Sequence, residues 1–141
     1  MELNSRLLFV VDIKLHPPQI NARTPAGERK LVPVAGGSFD GPRLRGSILP
    51  HAAADWALTR NDGVLVLDVR LTLQTDDGEC ILMTYNGMRH GPDAAMARLA
   101  RGEPVDPSEY YFRIVPSFEV QAGKYEWLNK LVAVGVGERL K

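Results

Sequence analysis

Strict two-residue alternation runs through VLVLDVRLTLQT, residues 64–75. Leu65, Leu67, Val69, Leu71 and Leu73 fall on one face of an extended chain, and Asp68, Arg70, Thr72 and Gln74 on the other. A helix cannot gather that pattern on one side, so the chain around it must be built as a sheet. The run ECILMTYN, residues 79–86, follows across Asp76-Asp77-Gly78, and two turn registers compete. A two-residue Asp77-Gly78 turn would set Leu71 against Thr84, Val69 against Asn86 and Arg70 against Tyr85. A three-residue turn with Gly78 in the left-handed conformation sets Leu73 against Ile81, Leu71 against Met83 and Val69 against Tyr85. The second keeps apolar with apolar and is the expected register. It also places Asp68 beside Asn86 and Arg70 beside Thr84, which gathers an acid, a guanidinium, a hydroxyl and an amide on one face.

The rest of the chain reads as short strands broken by glycine and proline. Leu7 to Leu15 alternates and is stopped by His16-Pro17-Pro18. From Ile20 to Pro33, Thr24-Pro25 and Ala26-Gly27 supply turn chemistry that leads into a short strand over Lys30 to Val34. AGGSFDGPRLRGSILP has the glycines of a phosphate loop, but it lacks the terminal Gly-Lys-Ser/Thr and opens no helix. Gly41-Pro42 and Gly46 fit tight corners or bulges of a curved sheet better. HAAADW then connects a Leu44 to Leu49 strand to the hairpin. Gly87 to Gly91 is expected to break the sheet. PDAAMARLARG reads as a short helix with proline at its start, arginines in its last turn and Gly102 after them. Its narrow stripe of Ala95, Met96 and Leu99 suits a helix laid across a barrel mouth. YYFRIVPSFEV is a strand with Arg113 planted in its middle. Tyr125 to Gly137 is expected as a last strand that pairs with the first and removes both edges. The fold class that follows is all-β: a single antiparallel up-and-down β-barrel, lipocalin-like in outline, with one short α-helix, formed by residues 1–141 as one domain.

Composition excludes more than it specifies. Seventeen basic residues balance 17 acidic ones, so no net charge favours nucleic acid or a membrane surface. No apolar run is long enough to span a bilayer, and MELNSRLLFVVDIKL lacks a signal-cleavage pattern, which makes the cytoplasm the expected location. The single cysteine, Cys80, has no partner in the chain and is expected as a small packed side chain. His16, His51 and His90 lie in separate loops without metal-ligand spacing, so neither a metal nor another cofactor is expected.

The candidate site rests on polar residues planted in strands. Asp55 would act as a general base if burial beside Trp56 or another aromatic raised its pKa; the plainer account is that it caps a turn. The polar parity of the hairpin is either a solvated outer face or, in a closed barrel, the wall of a lumen. Arg113 between Tyr111 and Val115 tips the reading toward the lumen. The candidate catalytic residues are therefore Asp55, Asp68 and Arg70, with Trp56, Thr84, Asn86, Tyr111 and Arg113 as ligand-binding residues.

Several runs in combination, GGSFDGPRLRGSILP, ADW, RNDG, LDVRLTLQTDDGE, the Tyr85-Asn86-Gly87 triplet, YYFR, PSFE and YEWLNKLVAVG, resemble the family known as domain of unknown function 3237, or uncharacterised protein family 0311. The resemblance covers nearly the whole chain. It implies a small β-barrel similar to lipocalin-like or allene-oxide-cyclase-like barrels, without an agreed activity. It sets Asp55, Trp56, Asp68, Arg70, Asn86 and Arg113 on motif positions, and it sets His51-Ala52-Ala53 where members often carry glycines. Two functions follow as expectations, beside a structural reading in which Asp68 and Arg70 merely tie the barrel together. One is a cofactor-independent enzyme of isomerase, cyclase or lyase type, in which Asp55 or Asp68 moves a proton and Arg70 or Arg113 holds an oxygen of a small, partly apolar metabolite. The other is a non-catalytic lipocalin-like binder that uses the same arginines to orient a small-molecule ligand. Exposed strands make a homodimer the expected assembly.

Overall fold

The computed structural model describes residues 1–140. The hairpin that dominates the sequence dominates the fold: β6 (Leu65–Thr75) and β7 (Cys80–His90) pair Leu73 with Ile81, Leu71 with Met83, Val69 with Tyr85, Arg70 with Thr84 and Asp68 with Asn86, the three-residue-turn register. Gly78 turns the chain at φ 91°. Asp77 locks the tip, because its carboxylate accepts from the Thr75 hydroxyl, from Tyr125 Oη at 2.9 Å and from Lys124 Nζ at 2.9 Å. These donors, the Thr75 hydroxyl foremost, hold the Asp77 carboxyl well below the usual carboxylate range.

Around this hairpin the chain wraps as one antiparallel sheet of β1 (Val10–Leu15), β2 (Ile20–Thr24), β3 (Gly27–Asp40), β4 (Arg45–Ile48), β5 (Ala54–Thr59), β6, β7, β8 (Tyr111–Glu119) and β9 (Gly135–Val136). The long β3 does the work of two strands. Its first half pairs with β2 and β5, and its second half with β1 and β4, so β4 and β5 follow one another along the gap between β3 and β6. The two halves meet where Lys14 pairs with Gly36 and Leu15 with Val34, leaving Ala35 as the extra residue of a bulge. Glycines allow the sheet to fold over here: a Cβ at Gly37 would sit 2.0 Å from the Asp12 carbonyl oxygen. Turn chemistry between Ile20 and Pro33 is confined to the corner at Thr24–Gly27, and the flanking residues are strand.

The lumen is packed, not empty. Leu73 and Ile81 are 0% exposed, and Leu71, Met83 and Val69 are 2% exposed. They lie among Val34, Phe39, Leu44, Ile48, Tyr125 and Leu128. The hairpin's apolar parity thus points inward, and Asp68, Arg70 and Asn86 are exposed on the outer face. This corrects the expectation that the polar parity lines the lumen. A single curved sheet has one face to bury, and the five aliphatic residues of β6 claim it. Cys80 shares the outward parity and is exposed, contrary to the packed side chain expected of it.

Two further expectations change. Gly87 does not end the strand, since β7 continues to His90; glycine stands there because a Cβ would meet the Arg113 carbonyl oxygen at 2.5 Å. The segment from Tyr125 onward is not a strand laid on β1. Glu126–Lys130 forms a 3₁₀ turn that drives Leu128, 1% exposed, into the barrel end, and only Gly135–Val136 adds to β8. The two ends of the sheet approach through side chains, with the Phe9 ring 5.3 Å from Phe39 and 5.9 Å from Phe118. The observed architecture is mainly β and barrel-like. α1 (Asp93–Ala100) buries Ala95 and Leu99 against Val105 and Tyr110 beside the β7–β8 end. Among the described residues no helix is long and apolar enough to cross a membrane.

Candidate functional site

The interior differs at its two ends. Toward the hairpin tip the inward residues are sealed, whereas Asp55, Leu65, Arg89, Phe112 and Ile114 are only half-buried. The inner face therefore meets solvent where β6 begins and β7 ends. Polar side chains are gathered at this end.

Asp55 reaches it through a local opening of the sheet. The β5–β6 pairing holds at Ala54–Arg70 and Asp55–Val69 and resumes at Leu58–Val66, skipping Trp56 and Ala57 against Leu67 and Asp68. Side chains take the backbone groups released there. Asp55 Oδ1 accepts the Asp68 N–H at 3.0 Å, and the Trp56 carbonyl accepts from Arg29 Nη1 at 2.8 Å. Burial pushes the Asp55 carboxyl up from 3.8 to about 6, and the nearby Asp68 charge adds to the rise. The Asp68 N–H opposes it, as do the Arg89 and Arg29 guanidiniums. Such an acid is present in both forms near neutral pH, which is the condition for proton transfer.

Val69 pairs with Asp55 on one side and with Tyr85 on the other, so all three point inward and the carboxyl and the phenol flank one valine. Burial, and then the Asp55 charge, raise the Tyr85 pKa and keep the phenol neutral. Four residues along the same face of β7 stands Arg89, its guanidinium carbon 5.9 Å above the Phe112 ring. Among the described residues its buried Nε has no hydrogen-bond partner. Burial, and next the Arg139 guanidinium, lower its pKa, while Tyr110 and Asp55 act in the other direction. A guanidinium keeps its charge under such shifts, so a carboxyl, a phenol and a cation stand on the inner face of the sheet, the cation four residues along β7 from the phenol.

Of the residues picked out from sequence, only Asp55 lies on this inner face. Asp68 contributes its backbone N–H to Asp55 while its side chain faces out. Arg70 and Asn86 are on the outer face, and Thr84 shares a hydrogen bond of 2.9 Å with Ser117 there. Tyr111 stacks on His90 with ring centroids 4.9 Å apart, and Arg113 lies over the Tyr111 ring at 5.1 Å and donates to the Phe112 carbonyl. Trp56, 44% exposed, borders a separate outer cleft of about 600 Å³ with His16, Leu31, Pro33 and His51. At its rim His51 and Ala52 hold φ of 72° and 47°, the left-handed region that favours glycine. Sequence reasoning passed over Arg89, although it shares the parity of Ile81, Met83 and Tyr85; a strand taken to stop at Gly87 hid it. Among the described residues no three of His, Cys, Asp and Glu converge as a metal site.

Comparison with known proteins agrees with this architecture. The chain is 34% identical over 140 residues to a UPF0311 protein of Clostridium acetobutylicum, covering 99% of this chain and 88% of that one. A crystal structure of a protein with unknown function from the same organism superposes with a TM-score of 0.87 at 33% identity, over 98% of this chain and 93% of that one. A structure described as a beta-barrel like protein from Acinetobacter baumannii superposes with a TM-score of 0.74 at 35% identity, over 99% and 93% of the two chains. The family model described as protein of unknown function (DUF3237) matches residues 4–141, and the chain belongs to that family.

Proposed function

We propose that the accessible end of the barrel interior is a small-molecule site, and that the protein is a cofactor-independent enzyme of isomerase, cyclase or lyase type acting on a small, oxygenated, partly apolar metabolite. Asp55 carries the reading. A carboxyl lifted to about 6 inside an apolar chamber is costly to the fold, and an asparagine would accept the Asp68 N–H equally well in geometry. Proton transfer needs the acid, whereas structure alone does not. In the ionised form, Asp55 takes a proton from a carbon beside a carbonyl or from a hydroxyl of the substrate. Negative charge then collects on the substrate oxygen, where the Arg89 guanidinium stabilises it. Return of the proton to a different atom, or ring closure followed by protonation, leaves Asp55 as it began, with no net oxidation or reduction. Leu65, Phe112 and Ile114 supply the apolar wall, and Tyr85 is a neutral hydrogen-bond donor within the same face.

The test is a thermal-shift screen of the wild type, Asp55→Asn and Arg89→Gln against small aromatic and terpenoid acids, ketones and phenols, with mass spectrometry and chiral chromatography of each compound afterwards. The expected result is a compound that stabilises the wild type and is converted by it, and that Asp55→Asn binds without converting. A compound bound tightly and recovered unchanged by the wild type would make the protein a lipocalin-like carrier and end the enzymatic reading.

A further inference from the structure

The open end of the interior is built from two directions, the β7–β8 wall and the C-terminal tail. Beyond the pairs Arg113–Val136 and Ile114–Gly135, the Gly137 N–H donates to the Phe112 carbonyl at 3.0 Å and the Arg139 N–H to the Tyr110 hydroxyl at 3.0 Å. Residues 135, 137 and 139 therefore alternate onto the inner side of the tail. Two of them are glycines for a steric reason: a Cβ would come within 2.5 Å of Ile114 at position 135 and within 2.5 Å of the Phe112 ring at position 137. The tail lies flat on those inner-face side chains, and Arg139 is the one residue of the three with a side chain to extend.

Arg89 approaches the same place from the other side of β8. It is paired with Phe112, the residue whose carbonyl holds Gly137, and its guanidinium sits over the Phe112 ring. Arg89 on the wall and Arg139 on the tail thus flank the Tyr110–Phe112 stretch of one strand, and the Arg139 charge acts on Arg89. The Arg89 Nε is buried and has no hydrogen-bond partner among the described residues. A planar guanidinium offers its Nε–H together with one terminal N–H as a side-on fork that matches the two oxygens of a carboxylate. A buried N–H without an acceptor is unfavourable until a ligand oxygen supplies one.

We propose that Arg89 and Arg139 form a clamp for a carboxylate, so that the ligand of this site is an anionic acid with an apolar body against Phe112 and Ile114. This rests on the reading of the open end as a small-molecule site, and it makes the C-terminal tail part of that site. Arg89 grips one side of the carboxylate and Arg139 the other, leaving the atoms next to the acid group facing Asp55.

The probe is cinnamate with its methyl ester, the same body without the charge, titrated calorimetrically into the full chain, with ligand-free melting as the control on folding. The wild type should bind cinnamate, and the ester about tenfold or more weakly. Arg89→Gln and Arg139→Gln should each weaken cinnamate by about tenfold or more and leave the ester unchanged, and Arg139→Lys should recover part of the loss. Equal binding of acid and ester by the wild type and by Arg139→Gln would overturn the clamp while leaving a small-molecule site standing. If the wild type takes neither compound, nor any acid or neutral analogue of that size, the clamp and the site fall together.

Discussion

Replacing Asp55 by asparagine should make the protein more stable, and the size of the gain follows from where the carboxyl sits. A rise from 3.8 in the unfolded chain to about 6 in the fold corresponds to ~3 kcal/mol of preference for the neutral acid. Between those two values the native chain holds a proton that the unfolded chain has released, so stability falls as pH rises through the window from about 4 to about 6. Above it the full cost of the buried carboxylate is present, and below it none is. Asparagine has no proton to lose and, like the neutral acid, still accepts the Asp68 N–H. The net gain at pH 8 is about 3 kcal/mol, or about 10 °C in melting temperature for a chain of this length. Urea unfolding of wild type and Asp55→Asn at half-unit steps from pH 4 to 8 measures it directly. The difference between the two proteins isolates Asp55 from the histidines, which titrate in both. The curves should meet near pH 4 and separate by about 3 kcal/mol above pH 7. A variant that is less stable at pH 8, or a difference independent of pH, would refute the reasoning.

Other perturbations test the frame that holds the site. Gly87→Ala forces a Cβ to within 2.5 Å of the Arg113 carbonyl oxygen and 2.7 Å of Ile114. It should cost ~1–3 kcal/mol in urea unfolding. Ala52→Gly relieves a left-handed residue at φ 47° and should stabilise by about 0.5 kcal/mol, seen as a small rise in melting temperature. Asp77→Asn removes the charge that gathers Thr75, Lys124 and Tyr125. Because the fold depresses this pKa, Asp77 contributes stability above the usual carboxylate range that fades as pH falls below it. The variant should therefore melt lower at neutral pH and converge with the wild type in strong acid.

The hairpin was legible because its information is local. Alternation and turn chemistry over 23 residues select one register, and Val69 lies against Tyr85 as that register requires. The corner at Gly41-Pro42, between β3 and β4, was legible from its glycine and proline, whereas the bulge at Ala35 lies in a stretch that did not read as strand. The direction of the polar parity depends instead on which face the other strands cover. Arg113 in mid-strand looks alike whether it points into a lumen or over Tyr111 on the surface. The tail was misread for a related reason: Tyr125 and Leu128 are three residues apart, and the residues between them fit a strand pattern until the 3₁₀ turn is seen. Asp55 was picked out as a candidate base, but Arg89 could not be joined to it, because β5 and β7 are brought together only through the intervening Val69 strand.

The most direct measurement is a carbon-13 NMR titration of the side-chain carboxyls, with the Asp55 resonance assigned by its loss in Asp55→Asn. An inflection near pH 6 is the predicted result, with a displacement when a ligand fills the chamber. An inflection near 3.8, the value of a free aspartate, would mean that Asp55 is an ordinary solvated carboxylate, and the proton-transfer site built on it would have to be abandoned.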